Sequence, residues 1–458
     1  MLFLRELIDI EKLAGRGTRV AIATPAEELT YASVAERVTS RIVELRRLGL
    51  ERSCSVIVVA RHTLATVTDV LALLHLGAFQ VPVSAELKST ELMLIATRVG
   101  AGWILDGANV LPSGIEHRRR SDGANLGLLS SGSTGTPKLV LRTADHIAAA
   151  MQIYSAAVGL TEHDRVLALL PLEHSYGFHN VVLATLAVGA TLYLHPSPHP
   201  RLAMQTILSH GITLLPAAPV FFDLLVKFTG TMSQRLPLRA AISVGTALSR
   251  RIDEQFARAF GFGIWQSYGT SESGPVALNQ RRTPHGELLA LGQVCPHVSV
   301  EILDERGYPL PDGEIGEIVV RSPAVGLGYD GADGGASTFA AGAFHTGDVG
   351  FIRDGELFFA GRKKLLIAAA GHKVDPFEIE QVLRAHPGVC DAAVIGVPDS
   401  NGIEQITAYV CARDGLTHSE LLAHCAQRLA AYKVPRVIHF RTKLPRNSMG
   451  KLLRDQLR

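Results

Sequence analysis

Between residues 29 and 105 the apolar positions switch repeatedly between two spacings. Residues 31–48 place apolar side chains every three or four positions, as an amphipathic helix does. Residues 55–60, Ser-Val-Ile-Val-Val-Ala, form an unbroken run of buried-strand length, and 65–76 return to helical spacing. The same rhythm recurs through Val166-Leu-Ala-Leu-Leu170, a helix-like stretch at 180–188, Thr191-Leu-Tyr-Leu194 and Ile212-Thr-Leu-Leu215. Alternation of this kind predicts βαβ units in a large, mostly parallel sheet covered by helices. Past residue 285 short strand-like runs with turn punctuation take over, as in 298–303 and 316–320, and predict a β-rich subdomain. The Gly-rich stretch 326–342 reads as a surface loop. The tail from 365 to 458 reads as helix (376–385), strand (392–397), strand (405–413), helix (417–430) and a final basic loop, enough for a small α+β domain. The expected fold class is therefore α/β, with a large N-terminal domain of layered βαβ subdomains plus a β-rich subdomain, and a small α+β C-terminal domain.

Composition narrows the function classes. A chain of 458 residues exceeds what one core usually covers, and 47% hydrophobic with 19% charged residues describes a globular protein. A net charge of +2 gives no reason to expect nucleic acid or an anionic membrane as partner. The five cysteines at 54, 295, 390, 411 and 425 contain no C-x-x-C pair, so neither a disulfide framework nor a zinc site is supported. Arg5, Glu6 and Asp9 interrupt the first ten residues where a signal peptide needs an apolar core. Pro216, Pro219 and Asp223 interrupt the most apolar later stretch, 212–226, so no membrane span and a cytoplasmic location are expected.

Candidate chemistry begins at Ser130-Ser-Gly-Ser-Thr-Gly-Thr-Pro-Lys138. Gly132 and Gly135 let backbone N–H groups turn toward an anion, Ser130, Ser131, Ser133, Thr134 and Thr136 offer hydroxyl donors, and Lys138 adds a cation. A Ser/Gly linker would share this composition. However, apolar 126–129 and 139–141 flank the loop, so it sits between two strands and not between two domains. The G-x-x-x-x-G-K-[ST] frame is absent, which disfavours a P-loop NTPase.

Further motifs follow in order: Pro171-Leu-Glu-His-Ser-Tyr-Gly177, Gln266-Ser-Tyr-Gly-Thr-Ser-Glu272, Phe344-His-Thr-Gly-Asp348, Gly361-Arg-Lys-Lys364, Gly371-His-Lys-Val-Asp-Pro-Phe-Glu-Ile-Glu380 and Pro445-Arg-Asn-Ser-Met-Gly-Lys451. In this order and spacing the chain resembles the adenylate-forming superfamily of acyl-CoA synthetases, peptide-synthetase adenylation domains and luciferases. The resemblance implies an adenylation domain over 1–361, a hinge at 362–364 and a mobile C-terminal domain over 365–458. It also implies attack of a carboxylate on the α-phosphorus of ATP, followed by transfer of the acyl group to CoA or to a carrier-protein phosphopantetheine.

The same resemblance assigns roles residue by residue. The loop from Ser130 to Lys138 would grip the β- and γ-phosphates, and Glu272, with Thr134, would hold Mg²⁺. Tyr268 would stack on adenine, with Gly245, Thr246 and Ala247 on the other side and Gly269 and Ser271 in the same motif. Asp348 would accept hydrogen bonds from the ribose hydroxyls with Arg362 assisting, and Lys451 would reach the acyl carboxylate and α-phosphate. Lys364 matches the hinge position, and Gly371 the thiol channel. His174 matches the gate of the acid pocket, walled by Phe178, Val244, Gly245, Gly269 and Thr270.

Departures from the family pattern bear on specificity. Val244 and Ala247 replace a Gly and a Pro, Ser271 replaces a Thr, and Ala368 stands where many members carry Lys. No carboxylate lies between Ser175 and Val188 to pair an α-ammonium, which favours an aryl or acyl acid over an α-amino acid. Two alternatives stay open at this point: an enzyme that stops at the acyl-adenylate or uses another acceptor, and a weakened nucleotide-binding regulator.

Overall fold

The structure is a computed structural model that describes residues 4–130, 138–195, 199–229, 235–331, 338–340, 342–365, 367–369, 372–398, 404–413, 415–447 and 450–457. Its helices begin and end on local chemistry. Thr30 caps the Tyr31–Arg47 helix by accepting from Ser33 N–H, and the face bearing Val34, Val38, Ile42 and Leu45 turns inward. Thr63 caps the Leu64–Leu76 helix, which stops at Gly77 in a left-handed conformation (φ 69°).

Two large sheets carry the N-terminal part. In one, of seven strands among the described residues, Ser55–Ala60, Phe79–Ser84, Trp103–Asp106 and Leu126–Ser130 run parallel, and the Lys138–Arg142 strand folds back antiparallel on the last. The other holds 14 strands among the described residues. Its parallel half comprises Val20–Ala23, Thr191–Leu194, Arg165–Ala168, Leu214–Ala217, Ala240–Ser243 and Ile264–Thr270. At Thr270 the order changes: a tight turn leads into Gly274–Asn279, and from there to Ser299–Leu303 the neighbours pair antiparallel. The expectation of a mostly parallel sheet thus holds for only half of it, because strands joined by so short a turn cannot run parallel.

The C-terminal part is a three-stranded sheet with helices Pro376–Arg384 and His418–Ala426 over a core of Ile379, Leu383, Val394, Val410 and Leu421. Three readings are corrected. The 326–342 stretch is not only surface loop, since Gly328–Tyr329 pairs with the Lys138–Arg142 strand. The helix expected over 417–430 ends at Ala426. The final basic loop contains a strand, Val437–Phe440, parallel to Glu404–Ala412. No helix among the described residues is long and apolar enough to cross a membrane.

Candidate active site

The Leu126–Ser130 and Lys138–Arg142 strands form a hairpin closed by the Ser130–Lys138 pair. Its tip, which holds Ser131, Gly132, Ser133, Thr134 and Gly135, lies outside the described residues. Gly127 is required at the base, because a Cβ there would fall 2.7 Å from Phe79 Cζ. On the far strand, the Lys138 ammonium stands 4.3 Å from the centroid of the Tyr329 ring. The Tyr329 hydroxyl donates to Glu272 Oε1 at 3.0 Å. One tyrosine therefore touches both the cation at the end of the Ser130–Lys138 loop and the carboxylate expected to hold a metal ion. Burial, and then the neighbouring Glu272 charge, push the Tyr329 phenol far above its ordinary value, so it stays a donor.

Glu272 lies in the turn between Ile264–Thr270 and Gly274–Asn279. Thr270 Oγ1 accepts from the N–H groups of Glu272 (3.2 Å) and Ser273 (3.0 Å). A Cβ at Gly269 would lie 2.4 Å from Gly274 O, so the motif's glycine permits the close return of the chain. Beneath the turn, the fully buried Arg142 donates to the carbonyls of Ser271 (3.0 Å), Glu272 (3.2 Å) and Ala324 (2.7 Å). Burial lowers the Arg142 guanidinium to about 10, a cost borne for fixing the backbone that presents Glu272.

Asp348, 2% exposed, lies in the long Ala343–Arg353 strand. Tyr268 OH donates to its Oδ2 at 2.8 Å, and Arg362 Nε stands 2.7 Å from its Oδ1. Arg362 comes from the adjoining strand, opposite Asp348 in register, whereas Tyr268 comes from Ile264–Thr270, three strands further along the sheet. Thr346 Oγ1 accepts from Asp348 N–H at 3.0 Å and donates to Ile318 O at 2.7 Å. Just behind, Glu317 accepts from Lys363 Nζ at 2.7 Å and lies 3.2 Å from His345 Nδ1. Burial opposes the Glu317 charge, but Lys363 and His345 prevail and hold its carboxyl below the ordinary range.

The C-terminal part reaches this group. Gly450 abuts the Pro219–Thr229 helix, its Cβ position 3.3 Å from Val220 Cγ1. Lys451 N–H donates to Asn447 Oδ1 at 2.9 Å, which turns the chain at that point. Burial, and next the Arg362 charge, lower the Lys451 ammonium, while Asp348 and Glu272 counteract them. His174 is lowered by burial and then by Lys451 itself. Four sequence-predicted residues from separate motifs thus share one electrostatic environment with Lys451.

The segment after His174 is a π-helix, Tyr176–Leu183, a widened turn often found at functional sites. Ser175 Oγ meets Ser271 Oγ at 3.5 Å, joining this segment to the Glu272 turn. His174 Nε2 is buried with no hydrogen-bond partner. Phe178 does not join the group: it is 2% exposed and packs into the core beside Leu172 and Val182. Val244 is buried, whereas Gly245 is exposed in a left-handed conformation (φ 88°), followed by half-buried Thr246 and Ala247. Gly269 is exposed and Thr270 half-buried. Lys364 falls in the short turn Lys363–Leu365, and Gly371 lies outside the described residues.

The sequence reading missed Tyr329, Arg142 and Glu317. Arg142 had a visible signal, a charge at the end of the strand Lys-Leu-Val-Leu-Arg whose three apolar side chains are buried in the core. Tyr329 was hidden in a glycine-rich stretch, and nothing local sets it apart.

The chain is similar to known proteins over nearly its whole length. AMP-binding enzymes match residues 11–125 and 118–330, and the AMP-binding enzyme C-terminal domain matches 378–451. The 2-succinylbenzoate–CoA ligase of Bacillus cereus is 27% identical over 474 residues, covering 96% of this chain and 95% of that protein. The sulfoacetate–CoA ligase of Cupriavidus necator is 33% identical over 341 residues, covering 73% and 67%. Among solved structures, ATP-bound MatB from Rhodopseudomonas palustris superimposes with a TM-score of 0.89 at 24% identity, covering 100% of this chain and 98% of that one.

Proposed function

The chain belongs to the family of AMP-binding enzymes and is an AMP-forming ligase of carboxylic acids and coenzyme A; on that premise we propose how its own residues divide the work. The acid is an aryl or acyl acid without an α-amine, because the segment from Ser175 to Val188, which holds the π-helix, carries no carboxylate to pair an ammonium. In the first half-reaction a carboxylate oxygen bonds to the α-phosphorus of ATP as the bond to the β-phosphate bridge oxygen breaks, and pyrophosphate leaves. The loop from Ser130 to Lys138 holds the leaving phosphates. Lys451 places its ammonium between the attacking carboxylate and the α-phosphate, where negative charge gathers in the transition state. Asp348 receives the ribose hydroxyls on the lone pairs that Tyr268 and Arg362 leave, and the Tyr268 ring faces adenine, with Gly245, Thr246 and Ala247 across from it.

Among the described residues no three His, Cys, Asp or Glu side chains gather as a metal site. A lone carboxylate fits Mg²⁺ nonetheless, because that ion commonly takes one or two carboxylates and completes its shell with substrate phosphates and water. Glu272, steadied by Tyr329 and Arg142, would hold it with Thr134. Bound there with the nucleotide, Mg²⁺ supplies neutralising charge to the phosphate oxygens.

In the second half-reaction the thiol sulfur bonds to the acyl carbonyl carbon and AMP departs. We assign the change between half-reactions to rotation of the 365–458 domain about 362–364, which withdraws Lys451 and brings in the segment around Gly371 as the thiol channel. A carrier-protein pantetheine presents the same thiol as CoA. The observation that carries the reading is the burial of Lys451 beside Arg362, Asp348, Glu272 and His174. A pyrophosphate-exchange screen over aryl and acyl acids of graded length, then thioester detection with CoA and with a carrier protein, tests it. Exchange with an aryl or acyl acid is expected; exchange only with α-amino acids, or with no acid, overturns it.

A further inference from the structure

Apart from the Asp348–Glu272 group, a cavity of about 320 Å³ lies beneath the first described helix. Its size falls in the range of small-molecule sites. Leu4 and Ile8 form one wall, and Leu71 and Leu74, from the Leu64–Leu76 helix, form the facing one. Three of these four side chains are at most 5% exposed, so the apolar half of the cavity is well sheltered.

The polar lining is unusual in what it leaves unpaired. His75 Nδ1 lies 2.8 Å from the Leu71 carbonyl, which can only accept, so Nδ1 carries the proton. In the Nδ1–H tautomer Nε2 is an acceptor, and it is buried with no hydrogen-bond partner. Arg52 lines the cavity, is exposed at its solvent side, and makes no ion pair with any described residue. Among the described lining residues the one acidic side chain, Asp145, sits in the first turn of the Ala144–Val158 helix, where the helix dipole offsets its charge. One uncommitted cation, two acceptors and an apolar floor describe a ligand in negative.

We propose that this cavity is a second binding site, for a small carboxylate that carries a hydrogen-bond donor and a branched apolar body. The carboxylate pairs with Arg52, the donor, a hydroxyl or an ammonium, meets His75 Nε2 or Asp145, and the apolar body lies between Ile8 and Leu74. The site is joined to the reaction centre by backbone: Asn125, also on the wall, donates its N–H to Arg142 O at 2.8 Å, and Arg142 holds the carbonyls of Ser271 and Glu272.

Titration calorimetry on the full chain with 2-hydroxy-4-methylpentanoate, leucine and 4-methylpentanoate tests this. The hydroxy or amino acid is expected to bind at least about 10-fold more tightly than the donor-free acid, and whichever of the two binds more tightly identifies the donor. Arg52→Ala should weaken that binding by about 10-fold or more and Leu74→Trp, which fills the cavity, should abolish it. Acid-dependent pyrophosphate exchange should persist in both variants. Absence of binding of all three acids to the unmodified protein, or binding unchanged in Arg52→Ala, overturns the proposal. Loss of pyrophosphate exchange in the unmodified protein would instead count against the ligase reading.

Discussion

Tyr329→Phe removes one hydroxyl and leaves the ring. In the structure that hydroxyl donates to Glu272 Oε1 at 3.0 Å, while the ring face meets the Lys138 ammonium at 4.3 Å. A hydrogen bond to a charged acceptor is worth about 1.5–3 kcal/mol. Glu272 is half-buried and regains part of this from water, so the lower end applies, about 1.5 kcal/mol or roughly 10-fold. Tyr329→Leu also removes the cation–π contact, a further ~0.5–1 kcal/mol, for a total of roughly 30- to 60-fold. The assay is pyrophosphate exchange at a saturating acid, with ATP and Mg²⁺ varied. The expected results are a fall in kcat/KM for ATP of about 10-fold in Tyr329→Phe and a larger fall in Tyr329→Leu. Raised Mg²⁺ should recover part of the loss in both, because Glu272 is then less well placed but still present. The reasoning is refuted if Tyr329→Phe stays within about twofold of the unmodified enzyme with the same Mg²⁺ dependence. It is refuted equally if removal of the hydroxyl raises the rate, which would mean that Tyr329 restrains Glu272 and Lys138.

Tyr268→Phe removes the donor at 2.8 Å from buried Asp348 and should raise KM for ATP by about 10-fold while leaving KM for the acid unchanged, as steady-state kinetics can show. Asp375 caps the Pro376–Arg384 helix through Phe377 N–H, and burial raises its carboxyl from 3.8 to about 6. Because the folded pKa is the higher one, its favourable contribution is full below about pH 4 and is lost as pH rises through 6. Asp375→Asn keeps the cap without the charge, so its stability relative to the unmodified protein should rise between pH 4 and 7.5, by up to about 3 kcal/mol in denaturant melts. A difference independent of pH would contradict this. Gly177→Ala should disable folding or the acid pocket, since its Cβ would lie 2.4 Å from Pro171 O; undiminished exchange activity would show that the π-helix tolerates displacement.

Where hydrophobic period and turn chemistry agreed, the sequence was enough. The helix over 31–47 and the strand over 55–60 follow directly from spacing, and the flanking apolar runs placed the Ser130–Lys138 loop between two strands, which pair antiparallel. Long-range pairing was not legible. Tyr329 reaches Glu272 only because Gly328–Tyr329 adds a short strand to the Lys138–Arg142 edge, a pairing of residues nearly two hundred positions apart with no local period. The strand Val437–Phe440 was hidden for a related reason: it is short, half-exposed, and flanked by basic residues that read as loop. Of the site, Asp348, Glu272, His174 and Lys451 were legible as motif members. Phe178, expected at the pocket wall, lies on the π-helix among core side chains.

The central claim is that Lys451, brought to the Asp348–Glu272 group by the C-terminal part, serves adenylation and not thioester formation. The most direct measurement compares the two half-reactions in Lys451→Ala: acid-dependent pyrophosphate exchange, and thioester formation from chemically prepared acyl-adenylate with CoA. Exchange should fall by about 10²-fold or more while thioester formation from the supplied adenylate stays within a few-fold. In the unmodified enzyme, exchange should also decline at a lower pH than an ordinary lysine would set, because burial and Arg362 lower the Lys451 ammonium. Equal loss of both half-reactions, or exchange left intact, would contradict the claim.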